Sequence, residues 1–271
     1  MERTVLITGA SSGFGKAAAL LFQSKGWNVV ATMRTPEKEQ ELNAMDNILL
    51  TRLDVLDRES IHTAIATGIE AFGSIDAVVN NAGYGLMGVF ESATAEQIQH
   101  QFEVNVFGMM RVVQEILPHF RERGKGTIVN VSSFGGIVGL PFGSLYNSSK
   151  FAVEGFSEAL SHELLPFNIG VKIIEPGGVH TNFRNGLEII TNLVTSYDPV
   201  MASFFKRYPE PTKELTNATA SDVAQTIYTA VTDTHGRLRF TVGEDGAFYI
   251  SLKADNDEKT FLDAMRGFFV K

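Results

Sequence analysis

The sequence predicts an α/β fold built on a doubly wound parallel sheet of about seven strands. Three observations lead there. Short β-branched runs alternate with longer helical stretches along most of the 271 residues. The strand-like runs are continuously apolar rather than alternating, as in strands covered on both faces by helices. The first run passes straight into a glycine-rich turn and a helix.

Strands are expected at 5–8, 28–33, 49–53, 77–80, 127–131 and 171–174, with a seventh at 240–242. A first helix should fill 13–25 and stop at Gly26. Thr94 stands three residues before Gln97, a capping-box pattern, and the stretch that follows places Ile98, Phe102, Phe107 and Met110 near one face. Another helix is expected at 149–165, ended by Pro166. No repeat, low-complexity tract or linker interrupts the pattern, so residues 1–271 are expected to form one domain. The stretch 182–217 breaks the alternation. Its mixed periodicity, its aromatics and the close pair Pro209 and Pro211 suggest an insertion placed as a substrate lid.

Composition narrows the function classes. Hydrophobic residues make up 44 % of the chain, enough for a substantial core, and the net charge of −8 speaks against a nucleic-acid partner. Without cysteine there is no disulfide, thiolate nucleophile or cysteine metal site. The six histidines are scattered, and His162-Glu163 is followed by Pro166 where a zinc-binding HExxH needs histidine, so no metal is expected. The N-terminus enters a strand without a signal-peptide core, and no apolar run reaches the ~18 residues of a membrane span. A cytoplasmic protein without membrane partners is the expectation.

The turn at 8–15 reads TGASSGFG. Glycines at a strand-to-helix turn let the backbone approach a ligand closely, and the helix N-terminus beyond them offers unpaired N–H groups to a pyrophosphate. Gly9, Ser11, Ser12, Gly13, Phe14 and Gly15 are therefore candidate cofactor contacts. A Walker loop does not fit, because Gly9 is one residue too far from Gly15-Lys16 and Ala17 follows. GASSG also matches the GxSxG nucleophile elbow, but nothing selects an acid or histidine partner for Ser11. A tight turn without a ligand is the bland alternative.

Tyr146 and Lys150 lie four apart at the start of a helical stretch and so share a face. Alone, that describes many solvated surface helices. Here the pair follows the apolar strand at 127–131, which ends in Ser132-Ser133, and it accompanies the glycine turn.

With these motifs together the chain resembles the single-domain short-chain dehydrogenase/reductase family, over nearly its whole length to about Thr181. TGASSGFG is similar to the family's TGxxxGxG, NNAG at 80–83 to its tetrapeptide after the fourth strand, and YNSSK at 146–150 to its YxxxK. Ser133, thirteen residues before Tyr146, has the spacing of the family's catalytic serine, and Asn105 in FEVNVFG matches its helical asparagine. PGGVHT at 176–181 is similar to the segment beside the nicotinamide. The stretch 132–150 resembles the hydroxysteroid and retinol dehydrogenase-like branch.

The resemblance implies a Rossmann-type fold and an oxidoreductase that interconverts a carbonyl and an alcohol. Tyr146 would move the proton, Ser133 would hold the substrate oxygen, Lys150 would hold the nicotinamide ribose, and Asn105 would hold a relay water. Asn105 also reads as a buried polar residue that merely satisfies a helix irregularity. A tyrosine with a pKa of about 10 is a poor acid–base group near neutrality, so the Lys150 ammonium is expected to favour the phenolate and lower that value. Asn80, Ala82, Gly83, Pro176, Gly177, Val179 and Thr181 join Tyr146 and Lys150 as expected cofactor contacts.

NAD-binding members place an acid at the end of the second strand, on the adenosine ribose. Here Met33 stands there and Arg34 follows, so a 2′-phosphate meets a guanidinium instead of a carboxylate. NADP(H) is expected over NAD, with Asp54 receiving the adenine amino group and Val55 packing nearby. The substrate pocket should form from 83–87, 135–145 and the 182–217 insertion. Leu140, Phe142, Leu145 and Tyr197, with Leu187, Phe204 and Phe205, make it apolar, unless those aromatics pack the lid. The helical faces near 102–117 and 152–165 could pair subunits in a homodimer or homotetramer. The alternative from another class is a silent NADP(H)-binding redox sensor, which should have lost Tyr146 or Lys150.

Overall fold

The computed structural model describes residues 2–179 and 187–269. Thr181, expected at the cofactor, and residues 182–186 of the insertion lie outside the described residues.

Among the described residues the strands are β1 (Thr4–Ile7), β2 (Asn28–Met33), β3 (Ile48–Arg52), β4 (Ala77–Asn80), β5 (Gly85–Met87), β6 (Gly126–Val131), β7 (Ile169–Pro176), β8 (Leu187–Ile189) and β9 (Arg239–Val242). Seven form one parallel sheet in the order β3-β2-β1-β4-β6-β7-β9, the doubly wound Rossmann-type topology. The order reverses at β1, where the sheet opens a crevice at the carboxyl ends of β1 and β4.

Helices cover both faces because β1, β2 and β4 are buried along their whole length. One face carries α1 (Gly13–Ser24) and α7 (Ala220–Thr232), joined through the contact of Phe22 with Tyr228 at 5.2 Å, with Trp27 against the edge of Phe22 at 5.1 Å. The other carries α2 (Arg58–Phe72), α4 (Met109–Arg123) and α5 (Ser144–Leu164), with Ile61, Val112, Ile116, Phe120, Val153 and Leu160 packed on Leu6, Val78 and Ile128. Burying such a side chain fully contributes about 1.5–3 kcal/mol, which is why continuous apolar strands need cover on both sides.

Three features depart from expectation. The helix of the Tyr146 motif begins at Ser144, ahead of residue 149, and after Leu164 a tight turn, Leu165–Phe167, runs over Pro166. Its first turn is held early because Asn147 donates to Gly135 O at 2.8 Å and accepts from Leu140 N at 3.1 Å. Between α3 (Ala95–Phe102) and α4 the chain widens into a π-helical turn, Glu103–Gly108. That turn resets the helix phase, so Phe107 faces outward at 45 % exposure instead of sharing the face of Ile98 and Phe102. Lastly, β5 and β8 form a small separate parallel sheet that ties the insertion to the chain just after β4.

The rest of the insertion is partly regular. It includes α6 (Asp198–Arg207), and two C-terminal helices, α8 (Glu244–Ala254) and α9 (Glu258–Phe269), pack behind it. Phe134, Phe204, Tyr249, Phe261, Met265 and Phe269 make a third apolar cluster there.

Candidate active site

The glycine turn sits in the crevice. Gly9 has φ +68, and a Cβ there would stand 3.0 Å from Ala82 Cα, so only glycine lets the two loops approach. Thr8 locks the approach. Its Oγ1 accepts from the backbone N–H groups of Asn81 and Ala82, both at 3.0 Å. The Asn81 amide donates to Thr8 O at 2.9 Å and to Gly9 O at 3.1 Å. Asn81 is a residue the motif reading passed over; its signal is the second asparagine of NNAG.

The turn suits an anionic ligand. The Ser12 side chain makes no capping bond to α1, and the first turn of α1 has no acidic residue, so its N–H groups and positive dipole end remain uncompensated. Ser11 and Ser12 are exposed beside Gly13 and Phe14. A dinucleotide pyrophosphate fits this cradle.

The other expected cofactor residues are spread along the same sheet edge. Arg34 is exposed after buried Met33 and makes no ion pair among the described residues. Asp54 is half-buried, its Oδ1 accepting from Leu56 N at 3.0 Å, and Val55 is buried against Gly108. Asn80 is buried and turns its amide into the sheet, donating to Asn130 Oδ1 at 2.9 Å. Lys16 holds the loop after β2 through ion pairs with Glu39 at 3.0 Å and Glu41 at 2.9 Å.

Ser133, Tyr146, Lys150 and Asn105 converge from three elements. Ser133 lies just past β6, and its hydroxyl hydrogen-bonds the phenol of Tyr146. Its Oγ accepts from Gly135 N at 3.0 Å and lies 3.5 Å from Pro176 O at the end of β7. Lys150, one turn after Tyr146 on α5, donates to Val131 O at 2.9 Å, which leaves its Nζ 5.9 Å from the Tyr146 ring centroid. Asn105 sits in the π-helical turn. Its amide donates to Tyr84 O at 2.9 Å and to Ser149 Oγ at 3.1 Å, and its Oδ1 accepts from Tyr84 N at 3.0 Å. Gly83 is where Asn105 and Lys150 meet: a Cβ there would lie 3.1 Å from Asn105 Oδ1 and 3.9 Å from Lys150 Nζ.

Electrostatics differ from the sequence expectation. Burial pushes the Tyr146 phenol up to about 12, outweighing the Ser133 hydrogen bond that lowers it. Burial lowers Lys150 to about 8, against the opposing influence of Glu154. The ammonium is pinned to the Val131 carbonyl rather than to the phenol, so desolvation decides the Tyr146 value.

The expected substrate wall divides in two. Phe142 has φ +60, unusual for a bulky side chain, and its carbonyl accepts from Gly88 N at 2.7 Å. Its ring lies 5.3 Å from Phe204 and stacks on Phe205 at 6.4 Å. Leu140 is half-buried in the loop beside it. Phe204 itself is fully buried among aromatics, and Leu145 is buried against Leu86 and Ile190, so both pack the lid and its base. Tyr197 is drawn to Glu91, whose hydrogen bond raises its pKa.

Known proteins repeat this architecture. A family model described as short chain dehydrogenase matches residues 3–189. An uncharacterized oxidoreductase of Schizosaccharomyces pombe is 39 % identical over 235 residues, 86 % of this chain and 98 % of that protein. Human retinol dehydrogenase 8 is 35 % identical over 252 residues, 88 % and 80 % of the two chains. Among solved structures, a short-chain dehydrogenase from Streptomyces avermitilis superposes with a TM-score of 0.83 at 32 % identity, covering 98 % of both chains. ElxO with NADP bound (TM-score 0.75, 28 % identity, 89 % and 98 % covered) and a 3-ketoacyl-(acyl-carrier-protein) reductase of Brucella melitensis with NADH (0.74, 26 %, 89 % and 96 %) are also similar. The glycine turn, the parallel sheet and the extent of these matches agree: the chain belongs to the short-chain dehydrogenase family of nicotinamide-dependent oxidoreductases.

Proposed function

We propose that the protein is an NADP(H)-dependent carbonyl reductase acting on a bulky, apolar ketone or aldehyde, and on the corresponding alcohol in reverse. The observation that carries this reading is the hydrogen bond between Ser133 and a half-buried, protonated Tyr146. The bound cofactor supplies the hydride. Ser133 donates to the substrate oxygen as negative charge develops there, and Tyr146 delivers its proton to the same atom. Burial keeps the phenol protonated at neutral pH, which suits the reductive direction. Lys150 and Asn105, which approach each other at Gly83, would line the route by which that proton is replaced.

Arg34 supports NADP(H) over NAD, since an exposed guanidinium at the end of β2 matches a 2′-phosphate and no carboxylate stands at the strand's last position. Gly9, Ser11, Ser12, Gly13, Phe14 and Gly15 would hold the pyrophosphate, Asp54 and Val55 the adenine, and Ala82, Gly83, Pro176, Gly177 and Val179 the nicotinamide half. Phe142, Leu140 and exposed Phe205 favour an apolar substrate, as does the likeness to a retinol dehydrogenase. The face of α4 and α5 around Phe107, Met110, Leu117 and Phe156 would pair two copies of the chain.

The test is oxidation of NADPH, and of NADH in parallel, with a panel of aliphatic, aromatic and polycyclic ketones and aldehydes. Turnover is expected with NADPH and the bulky apolar members. Binding of NADPH without turnover on any of them would instead favour a redox sensor.

A further inference from the structure

Helix α8 lies beyond the stretch matched by the family model, which ends at residue 189, yet it touches both walls of the site. On one side, Asp245 in its first turn accepts from Gly178 N at 2.5 Å through Oδ2. Gly177 packs so closely on this carboxylate that a Cβ would fall 2.2 Å from Oδ1. Asp245 is buried at 5 % exposure, and its Oδ1 has no hydrogen-bond partner among the described residues. On the other side, Gly246 approaches Phe134 as well as Gly177, and Tyr249 stacks on Phe134 at 5.4 Å with an interplanar angle of 18°. Phe134 follows Ser133, and Gly177 follows Pro176. One helix therefore holds the two strands of chain between which Ser133 Oγ faces Pro176 O at 3.5 Å.

Leaving one oxygen of a buried carboxyl group without a partner among the described residues is costly. What the carboxylate does there is fix the backbone of 177–178. The N–H of Gly178 is directed into the protein by Asp245, while Gly177 N donates to Val242 O at 2.8 Å. Two successive amides of the loop are thus tied down behind the crevice.

We propose that Asp245 is a positioning residue for the nicotinamide half of the cofactor: it clamps the 176–178 loop against α8 and, through Gly246, sets that loop's distance from Ser133. The inference rests on the cofactor reading above. It assigns to the C-terminal helix a function in the site rather than a purely structural one.

The experiment compares two ligands on purified full-length protein by titration calorimetry. NADPH occupies both halves of the cofactor site; 2′,5′-ADP occupies only the adenosine half. Asp245→Ala should weaken NADPH binding about tenfold and leave 2′,5′-ADP within about twofold, whereas a general loss of structure weakens both. Asp245→Asn keeps an acceptor for the Gly178 N–H and should restore most of the NADPH affinity. If Asp245→Ala fails to fold, Asp245→Ser, which keeps a polar side chain but ends short of the Gly178 N–H, should show the same selective loss. Equal loss for both ligands, or undiminished NADPH binding in these variants, overturns the proposal. A wild-type protein that binds NADH in preference contradicts the NADP reading alone, and NADH with AMP then takes the place of the first pair.

Discussion

The Ser133 hydroxyl bonds the Tyr146 phenol across two elements, one at the carboxyl end of the central strand β6 and the other in the first turn of α5. A substrate oxygen placed between them meets two hydroxyls at once. Ser133→Ala should therefore reduce turnover by about 10²–10³-fold, the usual cost of one oxyanion donor, with NADPH affinity unchanged. Steady-state kinetics beside a binding titration check this; a loss confined to KM would instead make Ser133 a simple binding residue.

The pH dependence follows from Lys150. Its folded value of about 8 means that the ammonium is present below that pH and is lost as pH rises through it. The phenol, at about 12, stays protonated over the same range. Carbonyl reduction should hold a plateau below pH 8 and decline above it. Lys150→Arg, whose charge persists, should remove that decline even where the maximal rate is lower. A reduction rate that climbs between pH 8 and 9 in the native enzyme is incompatible with this assignment.

Cofactor choice turns on one exposed side chain. Arg34→Asp puts a carboxylate where a 2′-phosphate would lie and should move the NADPH:NADH ratio of kcat/KM toward NADH by on the order of a hundredfold, from lost pairing plus new repulsion. Equal use of the two cofactors by the native enzyme removes the argument for Arg34.

Phe204 is expected to matter for stability. It is 1 % exposed and touches Phe142, Phe205, Tyr208 and Phe269. Phe204→Ala should cost about 3–5 kcal/mol by leaving a cavity, read as a fall in the denaturation midpoint. Little change in stability would mean that the aromatic cluster is loosely packed.

The sheet was legible because buried parallel strands leave continuous apolar runs, and the expected bounds at 28–33 and 77–80 coincide with β2 and β4. The pairing of Tyr146 with Lys150 was legible because residues four apart share a helix face, whereas Ser133 was singled out over Ser132 by the spacing of the family it resembles. Strand β5 was not: it has three residues, too few for periodicity, and its partner β8 lies a hundred residues on. The widened turn at Asn105 was missed for a related reason. An inserted helical residue leaves no local signature, and only the outward face of Phe107 betrays it. Helix α9 did leave a signal in Phe261, Met265 and Phe269 at four-residue spacing. Asp245 left none, since an acidic residue in a first helical turn is ordinary until Gly177 is found against it.

The most direct test is Tyr146→Phe, which removes one oxygen and leaves the ring in place. NADPH consumption with the best carbonyl of the panel should fall by about 10³-fold or more, while NADPH affinity stays within about twofold of the native protein. Turnover near the native rate in that variant would contradict the account of Tyr146 as the proton donor.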